Sequence, residues 1–194
     1  LERCFEKTIN PARFYHKKVT MTVQETIYAR RSIRKYQEKS VETEKIELLL
    51  KAAMAAPSAM NVKPWEFVVL THPDLLIEVR SSLMFAKFDA PAAIVVCGNT
   101  SFFKHPIAEK FWVQDCSAAT QNILLAAVEL GLGTVWLGVY PIHNFIRRIS
   151  EILSLPKHVI PLNVIYVGYP AEEKPARTQY DAKRVHWQTY GSPG

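Results

Sequence analysis

Apolar residues recur along this chain at two distinct spacings, and the alternation between them lays out its elements. Ile46, Leu49, Leu50 and Ala53 fall at steps of three and four, the signature of one buried helical face. Ser40 is placed to cap that helix, Glu42 and Glu44 favour the dipole of its first turn, and Glu47 and Lys51 form an i,i+4 pair. Pro57 stops it. Trp112, Cys116, Ala119, Ile123, Ala126 and Leu130 repeat the pattern over a long helix, residues 109–130, whose second half is apolar nearly all round. Shorter helices are predicted over 23–30, from Pro73 to about 83, and over 142–153. Between them run short apolar stretches: 66–70, 92–98, 134–139 and 163–168. The run Ala92-Ala93-Ile94-Val95-Val96-Cys97-Gly98 has no polar alternation, so it reads as a strand buried on both faces. Helices first, then strands and helices in turn, predict an α+β fold with a central sheet flanked by helices.

Composition adds limits. A chain of 194 residues with 48% hydrophobic content can bury a core, and 22% charge does not point to disorder. No stretch approaches a membrane span, and the first residues lack an apolar leader. Cys4, Cys97 and Cys116 are far apart, and the six histidines show no metal-ligand spacing, so neither a disulfide framework nor a metal site is expected. A cytoplasmic protein is the expectation. The net charge of +6 raises the question of nucleic acid. Half of the excess lies in residues 1–20, where five cations face two carboxylates, and the rest is spread thinly. That distribution argues against a nucleic-acid face. Residues 1–20 read as an N-terminal extension ahead of Met21, and residues 21–194 as a single domain. Beyond Tyr169 the tail is rich in proline and charge, yet it spends Tyr180, His186, Trp187 and Tyr190, so it is expected to lie on a protein surface.

Four strings carry candidate chemistry. Arg30, Arg31, Ser32 and Arg34 place three guanidiniums and a hydroxyl within five residues, a grip suited to phosphate. Ala56-Pro57-Ser58-Ala59-Met60-Asn61-Val62-Lys63-Pro64-Trp65 joins a helix to a strand through small residues and turn formers. Gly131-Leu132-Gly133-Thr134-Val135-Trp136-Leu137-Gly138 is a poor dinucleotide fingerprint, because it lacks the third glycine and follows a helix. The tail carries Gly168-Tyr169-Pro170, Arg177, Tyr180 and Lys183-Arg184-Val185-His186. No nucleophile elbow and no phosphate-loop lysine motif occurs. A solvated basic turn, a plain helix–strand connection and surface charge remain the simpler alternatives for these strings.

In this order the four strings resemble the nitroreductase family of FMN-dependent NAD(P)H oxidoreductases, over about residues 22–187. The resemblance implies a mixed central sheet wrapped by helices in an intertwined homodimer, with the helix over 109–130 at the interface. It implies that Arg30 and Ser32 meet the FMN phosphate and ribityl chain, with Arg31 the variable member, and that Arg34 stands at the pyrimidine edge of the flavin. Pro57, Ser58, Ala59 and Asn61 would reach the flavin of the other subunit; Lys63 stands where the family often has Gln. Trp136, Leu137 and Gly138 would run beside the ring, with the N–H groups of Leu137 and Gly138 toward N5 and O4. Lys183 and Arg184 would return to the phosphate, Arg184 as its ligand. No side chain is expected to act as a nucleophile, because the flavin does the chemistry. The implied reaction passes hydride from NADH or NADPH through flavin N5 to a small nitroaromatic or quinone acceptor. The alternatives are a specialised member of the family, such as a reductive dehalogenase or a flavin-consuming enzyme, and a basic binding protein without redox activity.

Overall fold

The computed structural model describes residues 21–192. The expected extension over 1–20 lies outside the described residues. The elements in chain order are α1 (Val23–Ala29), α2 (Thr43–Met54), β1 (Trp65–Leu70), α3 (Pro73–Ser82), β2 (Ala92–Asn99), α4 (Pro106–Glu109), α5 (Trp112–Glu129), β3 (Gly133–Gly138), α6 (His143–Ile152) and β4 (Val159–Gly168), with short 3-10 turns at Ala59–Asn61, Thr100–Phe102 and Ala182–Arg184.

The four strands form one sheet in the order β1-β2-β4-β3, antiparallel at every pairing. Outside the sheet, one isolated parallel bridge joins Ser32 to Thr134 along the free edge of β3. Helices cover both faces. On one, Leu49 and Ala53 of α2 and Cys116, Ala119 and Ile123 of α5 pack on Ile94, Val96, Ile165 and Val167. On the other, Val79 of α3 and Ile149 of α6 pack on Ala93, Val95, Val164 and Tyr166. Alternate residues of β2 thus enter opposite cores, which is why its sequence is apolar without alternation. No helix among the described residues is long and apolar enough to cross a membrane.

Several boundaries differ from expectation, each for a tertiary reason. Glu42, and not Ser40, holds the N-cap position of α2 without capping it. Its carboxylate instead accepts the Tyr169 hydroxyl at 2.7 and 3.0 Å, while Lys45 Nζ reaches that hydroxyl and the Leu130 carbonyl, each at 2.9 Å. Of the helix expected over 109–130, α5 takes residues 112–129 with Phe111 at its N-cap, and Glu109 ends the separate short helix α4. Strand β4 begins at Val159, four residues early, although Pro161 lacks a ladder donor. A bulge resolves this: Val96 pairs with Asn163 and Cys97 with Pro161, leaving Leu162 extra. The Leu162 carbonyl accepts both Val139 and Tyr140 N–H at 3.0 Å.

Candidate functional site

Helix α1 begins with a complete capping box, Thr22 with Glu25, and ends at Arg30. The chain then turns along the outer edge of β3. Ile33 N–H donates to the Thr134 carbonyl at 2.9 Å. The approach depends on Gly133, where a Cβ would stand 2.8 Å from Ile33. The tail packs on the far side of the same segment: Tyr36 bridges Pro170, Gln37 N–H donates to the Tyr169 carbonyl, and Arg177 N–H to the Tyr28 carbonyl. Arg31 donates to the Pro175 carbonyl. Arg30, Ser32 and Arg34 are therefore threaded between β3 and the tail.

Two cavities open on this seam. The first, about 430 Å³, is lined by Arg30, Arg177, Gln121, Ile27 and Trp136 among others. Burial, and then the neighbouring charges of Arg177 and Arg31, push the Arg30 guanidinium below its usual range. Cations crowded together in partial burial favour an anion with several acceptor oxygens. The second cavity, about 540 Å³, joins Arg34 to an apolar wall that includes Phe85, Phe88, Phe145, Trp136 and Gly138. The Arg34 guanidinium lies 5.8 Å from the Phe88 ring centre. Trp136 lines both cavities and links the cationic end to the aromatic one.

The backbone of β3 supplies donors. Thr134 turns its carbonyl outward to Ile33, and Val139 turns its N–H inward to Leu162. Because orientation alternates along a strand, Trp136 and Gly138 face the open edge, and Leu137 faces its β4 partner Val164. The strand thus aims the Gly138 N–H outward as expected and the Leu137 N–H inward, toward the ladder. A Cβ on Gly138 would meet nothing within 4 Å, so the chain's own packing leaves that edge open.

The remaining candidates stand elsewhere. Ala59 and Asn61 bound a 3-10 turn, and Met60, Asn61 and Lys63 all take left-handed backbone conformations with φ of 51–55°. Ser58 Oγ accepts Lys63 N–H at 2.9 Å, and Asp115 Oδ1 of α5 accepts Ala59 N–H at 2.9 Å. Pro57, Ser58, Ala59, Asn61 and Lys63 line neither cavity. Lys183 and Arg184 lie on the exposed tail, where Arg184 pairs with Asp181 at 3.4 Å. Within the chain, Arg177 and not Arg184 joins Arg30. Arg177 was visible in the tail string, but only the path of the tail beside Tyr28 brings it to the cavity.

Asp115 was not among the sequence candidates. It is buried, its Oδ2 finds no partner among the described residues, and burial holds its carboxyl above the usual aspartate range despite the Ala59 N–H. The neutral form is therefore favoured by folding, and the associated stability is lost as pH rises through the raised value. Asp115→Asn keeps an acceptor for Ala59 and removes the charge. Its melting temperature should exceed that of the wild type at pH 7, and the gap should close toward the pH at which free aspartates protonate. Thermal scans across pH test this; a gap that widens on acidification would refute it.

Comparison with known proteins fits this geometry. The family model described as "Nitroreductase family" matches residues 27–84 and 81–169. A protein of Methanothermobacter thermautotrophicus described as an NADH dehydrogenase/NAD(P)H nitroreductase is 46% identical over 172 residues, covering 88% of each chain. The crystal structure of an FMN-dependent nitroreductase from Clostridium difficile superposes with a TM-score of 0.78 at 34% identity, covering 86% of this chain and 99% of that one. A nitroreductase from Desulfovibrio desulfuricans, solved in complex with FMN, gives a TM-score of 0.73 at 27% identity, covering 94% and 99%.

Proposed function

The chain belongs to the nitroreductase family, and from that membership we propose that it is an FMN-dependent NAD(P)H oxidoreductase delivering electrons to small nitroaromatic or quinone acceptors. The observation that carries this reading is the track of two neighbouring cavities that share Trp136, with a guanidinium pair lining one and Arg34 beside the open Gly138 edge lining the other. A phosphate at one end and a planar aromatic ring at the other match what the track offers. Arg30 and Arg177 hold the phosphate, with Ser32 beside the ribityl chain. The Gly138 N–H donates to the ring edge, where the missing Cβ permits close approach. Arg34 sets a fixed cation by the ring and favours its electron-rich form. Phe85, Phe88 and Phe145 exclude water and offer flat surfaces to an aromatic acceptor. Bound FMN would supply the redox chemistry, hydride transfer between NAD(P)H and the acceptor. No nucleophile is required of the protein.

The loop over 57–63 has no place in its own chain's track, so we assign it to the track of a second subunit. The protein is then a cytoplasmic homodimer with two sites, each completed by the partner's loop, and residues 21–194 form one FMN-binding domain.

Purified protein should absorb in the visible, and denaturation should release FMN at one per subunit. Sedimentation should find the flavin on a dimer. Released FAD, colour retained in the precipitate, or a flavin-loaded monomer would each overturn part of the proposal. A colourless protein that FMN cannot reconstitute would favour the binding protein without redox activity.

A further inference from the structure

We propose that Glu172 and Lys174 are positioning residues, a carboxylate–ammonium clamp on the tail that fixes the backbone from Ser32 to Arg34 and thereby sets where Arg34 stands. The role of Arg34 against a flavin rests on the function proposed above; the clamp itself rests on contacts within the chain.

Tail and arginine string are paired backbone to backbone only part of the way. Gln37 N–H reaches the Tyr169 carbonyl at 2.9 Å and Ala171 N–H reaches the Lys35 carbonyl at 2.9 Å. Beyond Ala171 side chains take over. Glu172 Oε1 accepts the Arg34 N–H at 2.6 Å. Lys174 closes the clamp: its Nζ lies 3.1 Å from Glu172 and donates to the Ser32 carbonyl at 2.6 Å. Both side chains are about three-quarters shielded, with 20% and 24% exposure for Glu172 and Lys174.

The arrangement has an electrostatic logic. The Arg34 N–H holds the Glu172 carboxyl below its usual range, so it is ionised at neutral pH. Lys174 neutralises it, and the clamp adds no net charge beside the cavity. Arg34 then remains the uncompensated cation there: among the described residues none of the ion pairs involves it. A lone carboxylate at this place would cancel part of the charge it positions.

The test compares Glu172→Ala, Glu172→Gln and Lys174→Met. In the apoprotein, Glu172→Ala should speed amide exchange at Arg34 by about tenfold or more, the scale of one lost charge-assisted hydrogen bond, while amides of β2 and β4 keep their protection. With saturating FMN, the reduction potential should move in the same direction as in Arg34→Ala. Glu172→Gln retains an acceptor oxygen and should recover most of both effects, and Lys174→Met should fall between. Unchanged exchange at Arg34 overturns the clamp, and so does a uniform loss of protection across the sheet. Faster exchange with an unmoved potential removes the positioning role. Failure of the wild type itself to bind FMN would refute the function proposed above, and the exchange measurement would still decide the clamp.

Discussion

Arg30→Ala should weaken FMN binding by about ten- to a hundred-fold and leave riboflavin binding nearly unchanged. The two ligands differ by the phosphate alone, so the pair isolates the cationic end of the track. One charge-assisted contact contributes about 1.5–3 kcal/mol, or roughly one to two decades of affinity. Arg177→Ala should behave alike, because both guanidiniums line the same cavity. The apoprotein of either variant should be no less stable than the wild type, since Arg30 is already disfavoured by burial and by its cationic neighbours. Arg34→Ala is the contrast: it should weaken both ligands and lower the reduction potential, because the proposed site sets it beside the ring. Titration calorimetry with both ligands decides the matter. Equal weakening of FMN and riboflavin by Arg30→Ala would remove the phosphate from this cavity. A phosphate-selective loss in Arg184→Ala, with Arg177→Ala silent, would restore the role that the sequence assigns to Arg184.

Gly98→Ala should cost about 1–3 kcal/mol, the range for forcing atoms into a close-packed interior. A Cβ at Gly98 would stand 2.3 Å from Cε3 of Trp112. Trp112 cannot move freely: it opens α5, is buried, and meets the Tyr140 ring edge-on at 4.9 Å. The strain should pass along α5 to Asp115 one turn later, and from there to the 59–63 loop. For a chain of this size the melting temperature should fall by about 2–4 °C per kcal/mol. A Gly98→Ala protein within half a kcal/mol of the wild type, by denaturant titration, would show that Trp112 yields without cost.

The helices and the buried strand were legible because their signals are local. Leu49, Ala53, Cys116 and Ile123 sit at helical spacing and all reach the core, and the apolar run of β2 is buried throughout. Family membership was legible because the arginine string, the proline loop and the glycine segment each keep their residues in order. What escaped depended on distant partners. Ser40 satisfies a capping rule, but Glu42 is drawn to Tyr169, 127 positions away. Pro161 argues against a strand until a bulge on the opposite pairing accommodates it. The inward turn of the Leu137 N–H follows from a parity set by Ile33 on one side and Leu162 on the other. Arg177, Glu172 and Lys174 are ordinary charges in a proline-rich tail, and only the course of that tail gives them work. The aromatic tail proved half readable: residues 169–177 lie on their own chain, while Tyr180, Trp187 and Tyr190 stay exposed in the single subunit.

The tail contacts also fix an order of events in folding. Those joining it to Arg34, Ser32 and Arg31 bridge 138, 142 and 144 positions. Contacts so remote carry a large loop-closure entropy and form late unless other structure has already shortened the loop. Here the four-stranded sheet does the shortening, because β3 and β4 pair before the tail has anything to lie against. During synthesis the three arginines emerge well before the tail groups that pack on them. A nascent chain halted just past Gly168 would own its whole sheet and both cores, yet its anion-gripping arginines would be held on the β3 side alone, through Ile33, with none of the tail's contacts on the other.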